Sequence, residues 1–597
     1  MFVVRVERGP LAERSDLGSQ LAHLREGASW HEQRDPHCHL AWCSGGALVP
    51  VVSVGAAGDW LLAFGTVCRG ASTLALNAEQ LDAWREHTER DGEIPLGDVD
   101  GLYVVLYWDA SQRRLASAVD PSGMAPLYVA EDARGAWLSS SATAIGCLRP
   151  VRLSPRSLAV TTTAGKCLGD LSLFDDVRRV DAGTRLFFDA NGPHESRWWQ
   201  PSGEPLQSGD LAETAEKVVA EQAAYLQHRL AGTSAPLVTL TGGMDSRLVC
   251  ALAHRSGCAA RFVTFGRADS SDAVVARQVA GALDLRWEFI EESPLSIDDW
   301  RALVRSTALL SDGEVHPLRG VNRWTQALAE AQPTVLWGLG GECFRDYWSK
   351  HERARLLLRG GSRLERLVNY RFTGDGLPER IWSPEFREDG RRGVIDVLAE
   401  RERRLPHADP LDRLDGLYIT ERLRRWASVV IFSTTWSATP ELPLFSRRLL
   451  DLAFRLPRAA KRDARWLRWM IWHAWPAAAE LAHNDGYCTL PLERTSLWRR
   501  LGDRRRDALH LLEKLGIARR LGLVHSPTPP RDQNPTYREA FGDRLEVGSM
   551  RCESAFDSAE LSSLIAREID RPLGRSRPLN FLLGLEEVCR ATTQLQT

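Results

Sequence analysis

The segment of this sequence best suited to chemistry is the turn Gly242-Gly243-Met244-Asp245-Ser246, which follows the apolar run from Leu237 to Leu240. Glycines let a backbone approach an anion closely, because no Cβ stands in the way. Thr241 and Ser246 add hydroxyl groups, and Asp245 adds a carboxylate of the kind that binds Mg²⁺. These residue types predict a phosphate-binding loop, with a plain strand-to-helix turn as the alternative. The GxxxxGKS or GxxxxGKT loop occurs nowhere in the chain.

A second glycine-rich segment carries another carboxylate. The run TVLWGLGGECF, residues 334–344, contains Gly338, Gly340 and Glu342 after a short apolar stretch. Two such loops at one edge of a sheet would supply the backbone N–H groups and acidic ligands that a magnesium nucleotide needs. We therefore predict Asp245 and Glu342 as metal ligands. The alternative for Glu342 is a carboxylate that only stabilises the N-terminus of a helix.

Alternating apolar segments position these two loops. Between residues 211 and 340, short β-like runs alternate with helical patterns, which predicts a parallel sheet wound with helices. The first strand is predicted at Leu237 to Leu240, followed by a helix at Arg247 to His254 with Asp245 or Ser246 as its N-cap. Because ligands of open α/β sheets bind at the carboxyl ends of the strands, we expect both loops at the ligand-binding edge.

The regions before and after this sheet have different patterns. Residues 1–205 contain many short β-like runs and few long helical patterns, which favours antiparallel sheets with helical cover. From about residue 345 the pattern is mostly helical. We therefore predict an α/β protein of two domains, 1–205 and 206–597, joined by a linker that bears Gly, Pro and Ser. The Pro-rich segment 525–536 is predicted to be disordered.

Composition argues against several classes of protein. The 597 residues have a formal net charge of -2, so no nucleic-acid partner is expected. No apolar run approaches the ~20 residues that cross a bilayer, so no membrane partner is expected either. Scattered cysteines without a CxxC pair, and a start without a signal-peptide pattern, predict a cytoplasmic protein. His31, His37, Cys38, His39 and Cys43 crowd together, but their spacing fits no standard zinc site.

LTGGMDS, residues 240–246, resembles the pyrophosphate-binding LSGGxDS signature of the asparagine synthetase family. GLGGECF is similar to that family's GEGxDELF segment, with Glu342 in the place of a magnesium-binding aspartate. DGLYVVLYWD and AVDPSGMAPLYV, which includes Asp120, resemble parts of the family's glutaminase domain, and the likeness covers about residues 95–460. It implies a glutaminase-like (Ntn-type) αββα sandwich followed by a PP-loop, adenine-nucleotide α-hydrolase-like synthetase domain.

The resemblance also implies a reaction and a set of contacts. Members of the family adenylate a carboxylate with ATP and Mg²⁺, release pyrophosphate, and let an amine displace AMP. The residues implied to lie near adenine are Leu240, Val263 and Phe265. Those implied to bind the rest of the nucleotide are Thr241, Gly242, Gly243, Asp245, Ser246, Gly338 and Gly340. Asp245, Glu342 and Lys461 are implied to be catalytic, with Lys461 or an arginine in place of a lysine that family members carry late in the chain.

Two departures from the family narrow the expected activity. Glutamine-hydrolysing members use a cysteine at position 2 as nucleophile, whereas this sequence has Phe2, so we expect an inactive glutaminase-like domain. An amine of the substrate would then take the place of ammonia. Leu339 and, approximately, Thr439 stand where β-lactam synthetases have a tyrosine and a glutamate. Leu339 also replaces a glutamate of the asparagine synthetases.

The likeness is therefore interpreted as greatest to lasso peptide cyclases, which close a macrolactam between a side-chain carboxylate and the peptide N-terminus. This implies a precursor or core peptide as substrate, with a leader peptidase and a leader-recognition protein as further partners. The alternatives are another amide-forming member, such as a β-lactam synthetase or an ammonia-dependent asparagine synthetase, and a noncatalytic ATP-binding module.

Some residues have two interpretations that the sequence does not separate. Asp272 either caps a helix or contacts ATP. Arg422, Arg424 and Arg425 either bind a peptide or form surface charge, and surface charge is favoured. Tryptophans of the helical region such as Trp426 either line a peptide groove or pack in the core, and core packing is favoured.

Overall fold

A computed structural model describes residues 1–11, 16–69, 76–206, 210–291, 294–314, 328, 330–349, 361–372, 377–482, 489–496, 534–592 and 595–596. Residues 525–533 of the segment predicted to be disordered lie outside this part of the chain. None of the helices that the structure describes is long and apolar enough to span a membrane.

The N-terminal region contains two antiparallel sheets of six strands each. In spatial order, the strands of the first sheet are Arg178–Arg179, Tyr128–Glu131, Gly135–Ser139, Phe2–Glu7, Cys38–Ser44 and Ser29–Arg34. Those of the second are Gly192–Arg197, Thr184–Asp189, Arg114–Val119, Tyr103–Asp109, Trp60–Gly65 and Val51–Val54. A short pair, Cys68–Arg69 with Val99–Asp100, lies beside them.

The strand Tyr103–Asp109 is buried along its whole length because both of its faces are covered. Successive side chains point to opposite faces, so Leu106 joins the core shared with the other sheet while Tyr107 packs with the helix Ala78–Asp91. The helix Ala142–Leu148 covers the outer side of the first sheet. A helix, two sheets and a helix thus lie in successive layers, in agreement with the predicted sandwich.

A five-stranded parallel sheet follows, which confirms the predicted alternation of strands and helices. Its strands, in spatial order, are Trp287–Glu291, Arg261–Gly266, Leu237–Thr239, Thr334–Leu336 and Thr439–Glu441. The helices that accompany it are Leu211–Arg229, Met244–Arg255, Ser271–Ala282 and Ile297–Leu310. Leu237 lies opposite Arg261 on one side and Val335 on the other. The two strands that precede the glycine-rich loops are therefore direct neighbours.

The described chain after residue 345 is mostly helical, as predicted. Its α-helices are Arg363–Arg371, Gly390–Arg403, Pro410–Leu417, Ser428–Phe432, Arg447–Arg455, Arg458–Lys461, Arg465–Ala474, Pro476–Glu480, Tyr537–Phe541, Ser558–Glu568 and Arg577–Ala591. A π-helix, Tyr418–Ala427, precedes Ser428–Phe432. The short strand Leu595–Gln596 pairs in parallel with Val151–Arg152, so the chain returns to its N-terminal region.

One hydrophobic core crosses the predicted domain boundary. Phe2 of the N-terminal sheets belongs to the same cluster of buried side chains as Leu240 of the parallel sheet. A hydrogen bond joins the regions too: Arg229, which lies 2.8 Å from Glu441 in a buried ion pair, donates to the Thr66 carbonyl oxygen (2.9 Å). The domain limits 1–205 and 206–597 stay a prediction.

Candidate functional site

The predicted phosphate-binding loop begins a helix at the carboxyl end of the strand Leu237–Thr239. This helix, Met244–Arg255, has Gly243 as its N-cap, with extended backbone (φ -78°, ψ 162°). The prediction that Asp245 or Ser246 caps the helix is wrong, because the helix begins earlier and includes both residues in its first turn. Because the N-cap Gly243 makes no side-chain cap hydrogen bond, the first N–H groups of this helix and the positive end of its dipole can bind an anion.

Hydroxyl groups and a neighbouring carboxylate hold the loop in shape. Thr241 Oγ1 lies 2.9 Å from Ser246 Oγ, and the Thr241 N–H donates to Ser246 Oγ at 3.2 Å. The Gly242 N–H donates to Asp272 Oδ1 at 3.1 Å. Ser270, not Asp272, caps the helix that contains Asp272. Asp272 therefore supports the loop, a role that neither of its sequence interpretations included.

The second glycine-rich loop lies directly against the first. A Cβ on Gly338 would come within 2.4 Å of Ser246 Cα, and a Cβ on Gly341 within 2.1 Å of Asp245 Oδ1. Gly340 has a φ of 106°, in the left-handed region that favours glycine. The two loops that the sequence predicted at one edge of the sheet thus meet there, at a distance that only glycine permits.

Asp245 lies at the meeting point of the two loops. Arg345 Nη2 donates to Asp245 Oδ2 at 2.5 Å, and Glu342 Oε2 accepts from the Gly340 N–H at 3.1 Å. Burial raises the pKa of Asp245 to about 7, with Arg345 opposing the shift and the negative charge of Glu342 adding to it. The other oxygen, Asp245 Oδ1, is buried and has no hydrogen-bond partner among the described residues.

Asp245 and Glu342 fit a divalent cation. A buried carboxylate oxygen is costly when no donor or cation meets it, and Gly341 keeps the space next to Asp245 Oδ1 free of a side chain. The two carboxylates could hold Mg²⁺, with phosphate oxygens and water as the remaining ligands. Within the described ranges, no group of three or more His, Cys, Asp or Glu side chains forms a metal site made of protein alone.

Lys461 is a buried cation near the second loop. It is 3% exposed, and its Nζ makes no hydrogen bond or ion pair within the part of the chain that the structure describes. Burial lowers the pKa of Lys461, with Asp415 and Cys343 partly opposing the shift. Two residues just beyond it, Asp463 and Ala464, have φ values of 54° and 56°. Such strain in successive non-glycine residues is typical of functional segments.

The apolar residues predicted to lie near adenine are on two adjacent segments, one of which leads into the first loop. The Leu240 N–H donates to the Val263 carbonyl oxygen at 2.8 Å, and both side chains are buried. Phe265, partly buried, lies two residues further towards the carboxyl end of the strand Arg261–Gly266. Their contact with a nucleotide stays a prediction.

Two arginines that were predicted as surface charge are buried. Arg424 and Arg425 are 1% and 0% exposed. Arg424 Nη1 donates to the Gly169 carbonyl oxygen (3.1 Å), and Arg425 pairs with Glu314 (3.1 Å). The prediction is wrong because these acceptors are far away in the sequence and give the arginines partners inside the protein.

Position 2 of the chain is a packing position. The Phe2 side chain is fully buried, with its ring centroid 5.6 Å from that of Phe64. Asp120, also buried, accepts from the N–H groups of Ser122 (2.8 Å) and Gly123 (2.9 Å) and so shapes the turn after its strand. Phe2 has no nucleophilic group, while the inactivity of the whole domain stays a prediction.

Residues 85–199 match the sequence profile of a glutamine amidotransferase domain family. The matched segment extends from the helix Ala78–Asp91 through the strand Gly192–Arg197, and so includes strands of both N-terminal sheets. The chain is therefore a mixed α/β protein with a glutamine amidotransferase-type N-terminal domain and a parallel-sheet region.

Comparison with solved structures gives weaker similarities. One is to the allosteric regulatory enzyme of purine biosynthesis, at 12% identity over 49% of this chain and 80% of that chain, with a TM-score of 0.23. Another is to glutamine phosphoribosylpyrophosphate amidotransferase from B. subtilis complexed with ADP and GMP, at 12% identity over 56% of this chain and 81% of that chain, also with a TM-score of 0.23. TM-scores this low do not establish a common fold. No curated protein matches the chain.

Proposed function

We propose that the protein is an ATP-dependent ligase that activates a carboxylate by adenylation and converts it into an amide. The observation that supports this most strongly is Asp245 Oδ1, buried without a partner between the N-terminus of the helix Met244–Arg255 and Glu342. A helix N-terminus for phosphates, together with two carboxylates for the metal, is what a magnesium nucleotide requires. Amide chemistry also agrees with a glutamine amidotransferase-type domain in the same chain.

The proposed binding roles follow the two loops. The phosphates bind the loop from Thr241 to Ser246, through hydroxyl groups and the N–H groups at the start of the helix Met244–Arg255. Gly338 lets the second loop pack against Ser246, and the left-handed backbone of Gly340 shapes the turn of that loop. Adenine lies against Leu240, Val263 and Phe265. Asp245 and Glu342 hold Mg²⁺, which neutralises charge on the phosphates when it is bound.

The proposed reaction consists of two displacements. A carboxylate oxygen of the substrate attacks the α-phosphorus of ATP, and pyrophosphate leaves. An amine then attacks the acyl carbon, AMP leaves, and the amine nitrogen gives up a proton to solvent. Lys461 and Arg345 supply positive charge that stabilises the departing pyrophosphate, a kind of electrostatic effect that contributes strongly to catalysis in a partly desolvated site.

For the substrate, we propose a leader-free core peptide whose Asp or Glu side chain is activated and whose own N-terminal amine closes a macrolactam, as in lasso peptide cyclases. Phe2 supplies no nucleophile for releasing ammonia from glutamine, and Leu339 makes the second loop less polar than in asparagine synthetases. An amine within the same molecule gains from proximity. Residues 1–205 would then be a glutaminase-like domain without its nucleophile, and 206–597 a PP-loop synthetase domain. A leader peptidase and a leader-recognition protein would prepare the peptide.

Exchange of labelled pyrophosphate into ATP tests the adenylation step. The full chain with ATP, Mg²⁺ and a core peptide containing Asp or Glu should show exchange, and Asp245→Ala should abolish it. Asp570→Ala is a matched control, because Asp570 is 68% exposed and pairs with Arg538 on the surface. Absence of exchange in the wild type, or undiminished exchange in Asp245→Ala, contradicts the proposal.

The mass of the product tests the substrate. Loss of one water from a linear peptide supports the cyclase. Formation of asparagine from aspartate and ammonia, or of a β-lactam, would replace the cyclase by another amide-forming enzyme. ATP binding without any exchange would instead indicate a noncatalytic ATP-binding module.

A further inference from the structure

The π-helix Tyr418–Ala427 presents different residues to two parts of the protein. Glu421 Oε2 accepts from the Gly169 N–H (2.8 Å), and Arg424 and Arg425 also bond to the N-terminal region. Tyr418, Arg422 and Trp426 are spaced four residues apart, close to one turn of a helix with i to i+5 hydrogen bonds, and so share another face. π-Helical turns occur frequently at functional sites.

Arg422 is the unusual residue on that second face. Its guanidinium lies over the Trp426 ring, 3.7 Å from the centroid, and the side chain is partly buried. Across the described ranges it makes no ion pair and no hydrogen bond. Burial lowers the pKa of Arg422, while Tyr418, Tyr347 and Glu342 partly oppose the shift. A guanidinium removed from water without a carboxylate is costly, and binding an anion offsets that cost.

Tyrosines connect Arg422 to the candidate site. The Tyr347 and Tyr418 rings lie 4.6 Å apart between centroids, and Tyr347 is 37% exposed. Arg345, the partner of Asp245, lies 5.7 Å from the Tyr347 ring, and Arg371 lies 5.1 Å from it. Contacts therefore extend from Asp245 through Arg345 and Tyr347 to Tyr418, which lies four residues before Arg422 on the same π-helix.

We infer that Arg422, Trp426, Tyr418 and Tyr347 form a subsite that binds a carboxylate of the substrate together with an adjoining apolar or aromatic group. This inference rests on the proposed function, because it places the carboxylic-acid substrate in the same site as the nucleotide. A guanidinium stacked on an indole keeps its N–H edge for two parallel hydrogen bonds to a planar carboxylate. Tyrosine rings supply flat apolar contact and an O–H group at one end.

The position of Arg422 favours a substrate carboxylate over a phosphate of the nucleotide. The groups assigned to phosphate, from Thr241 to Ser246, lie at the N-terminus of the helix Met244–Arg255. Arg422 lies instead on the π-helix Tyr418–Ala427, stacked on the Trp426 ring and one turn from Tyr418, whose ring contacts Tyr347. A carboxylate bound by Arg422 would therefore lie beside aromatic rings, on an element separate from the phosphate loop.

Calorimetric titration of the full chain with 3-phenylpropanoate and its neutral isostere 3-phenylpropanamide tests this subsite. Titrations are run with and without Mg²⁺ and α,β-methylene-ATP, which cannot transfer its adenylyl group because a P–C bond replaces the bond that must break. We expect the carboxylate to bind at least about tenfold more tightly than the amide. Arg422→Gln should reduce this affinity ratio to about one. Arg422→Lys should leave an intermediate ratio, because lysine keeps the positive charge and lacks the two parallel N–H donors of the guanidinium.

Two further variants distinguish loss of the carboxylate contact from a general loss of binding or folding. Tyr347→Ala, at an exposed position, should weaken both ligands by a similar factor and keep their ratio, since it removes ring contact only. Arg392→Gln is the matched control, because Arg392 is 72% exposed on the helix Gly390–Arg403. Circular dichroism melting verifies that each variant is folded.

Two results would overturn the inference. One is an undiminished carboxylate preference in Arg422→Gln. The other is an equal loss of affinity for α,β-methylene-ATP, titrated alone into the same variant, which would assign Arg422 to the nucleotide. If α,β-methylene-ATP does not bind, while the preference for the carboxylate over the amide still depends on Arg422, the proposed function fails and the carboxylate subsite stands. The two failures are thus distinguishable.

Discussion

Arg345 Nη2 and Asp245 Oδ2 are 2.5 Å apart, so the residue predicted as a metal ligand is paired with a guanidinium contributed by the other loop. The pairing joins the two glycine-rich loops across the edge of the parallel sheet. Under the proposed function it also sets up a competition, because a divalent cation would bind the carboxylate that the Arg345 guanidinium already binds. Asp245 Oδ1, the other oxygen, is buried and has no hydrogen-bond partner among the described residues.

Removing Arg345 should therefore strengthen binding of a metal ion in the absence of nucleotide. We expect Arg345→Gln to bind Mn²⁺ about tenfold more tightly than the wild type, since a buried charge pair no longer competes. Electron paramagnetic resonance of free Mn²⁺ measures this across a pH series, because Arg345 lowers the Asp245 pKa and its removal shifts ionisation of the carboxylate to higher pH. The double variant Arg345→Gln/Asp245→Asn should lose the gain, and equal Mn²⁺ affinity of Arg345→Gln and wild type would refute the competition.

A methyl group at Gly341 should disable the site without a change in charge. The added Cβ would lie 2.1 Å from Asp245 Oδ1, so Asp245 or the second loop must move. We expect Gly341→Ala to lose measurable binding of Mg²⁺-ATP in calorimetry. Gly281→Ala is the matched control: nothing lies within 4 Å of its Cβ position, and helical alanine should add about 0.5–1 kcal/mol of stability. Nucleotide binding retained by Gly341→Ala would show that the loops do not approach as described.

Lys461 should matter for chemistry and little for folding. Its Nζ has no bonded partner in the described ranges, whereas Asp415 nearby accepts from Ser349 Oγ (2.7 Å) and two N–H groups. We therefore expect Lys461→Met to melt at the wild-type temperature or slightly above it, and to lower pyrophosphate exchange by about 100-fold or more. Lys217→Met, at a residue 69% exposed, is the matched control. Normal exchange in Lys461→Met would remove Lys461 from the mechanism.

Asp181 should contribute stability with a defined pH dependence. It lies 2.6 Å from Arg401 and 3.4 Å from the fully buried Arg424, and these cations hold its pKa far below the ordinary value of 3.8 although burial opposes them. Asp181→Asn should cost about 3 kcal/mol or more, because Arg424 stays buried with an uncompensated charge. A depressed carboxyl pKa stabilises above the unfolded-state value and loses that effect as the pH falls below it.

Thermal melts of the two proteins across a pH series measure this dependence. The difference in melting temperature between wild type and Asp181→Asn should be constant from neutral pH down to about 5, and shrink below about 4. A difference that is independent of pH throughout would mean that the charge of Asp181 contributes nothing.

Local sequence patterns predicted helices and strands well where hydrophobic periodicity alone was sufficient. The helical periodicity of residues 211–230 corresponds to the helix Leu211–Arg229, and the β-like run 184–189 to the strand Thr184–Asp189. The strand Thr439–Glu441 was missed, because it has three residues, one of them a proline, and its glutamate is buried only through the pair with Arg229. Pairing between distant segments leaves no local signal.

The same limit applies to the candidate site. Glycine spacing and strand order were sufficient to bring Asp245 and Glu342 to one edge, since glycine-rich turns after neighbouring parallel strands must meet there. The sequence did not assign two residues to the loop: Arg345, three residues after Glu342, and Asp272, on the next helix. An arginine or aspartate near the start of a helix can have many structural roles, and the sequence alone does not distinguish them. The helix N-cap was misplaced for a related reason: a glycine without a side chain gives a weaker signal than Asp245 or Ser246.

The π-helix Tyr418–Ala427 has a consequence for how this chain can change over evolutionary time. Ten residues both anchor the glutamine amidotransferase-type domain, through Glu421, Arg424 and Arg425, and orient Arg422. A descendant that deleted the N-terminal domain would leave the buried Arg424 without Asp181 and without the Gly169 and Val180 carbonyl oxygens. Glu421 and Arg425 would each lose a hydrogen bond and keep Arg401 and Glu314 as partners, and the neighbouring face would shift with them. Selection on the parallel-sheet region alone would therefore preserve the N-terminal domain as a scaffold, whatever chemistry that domain itself retains.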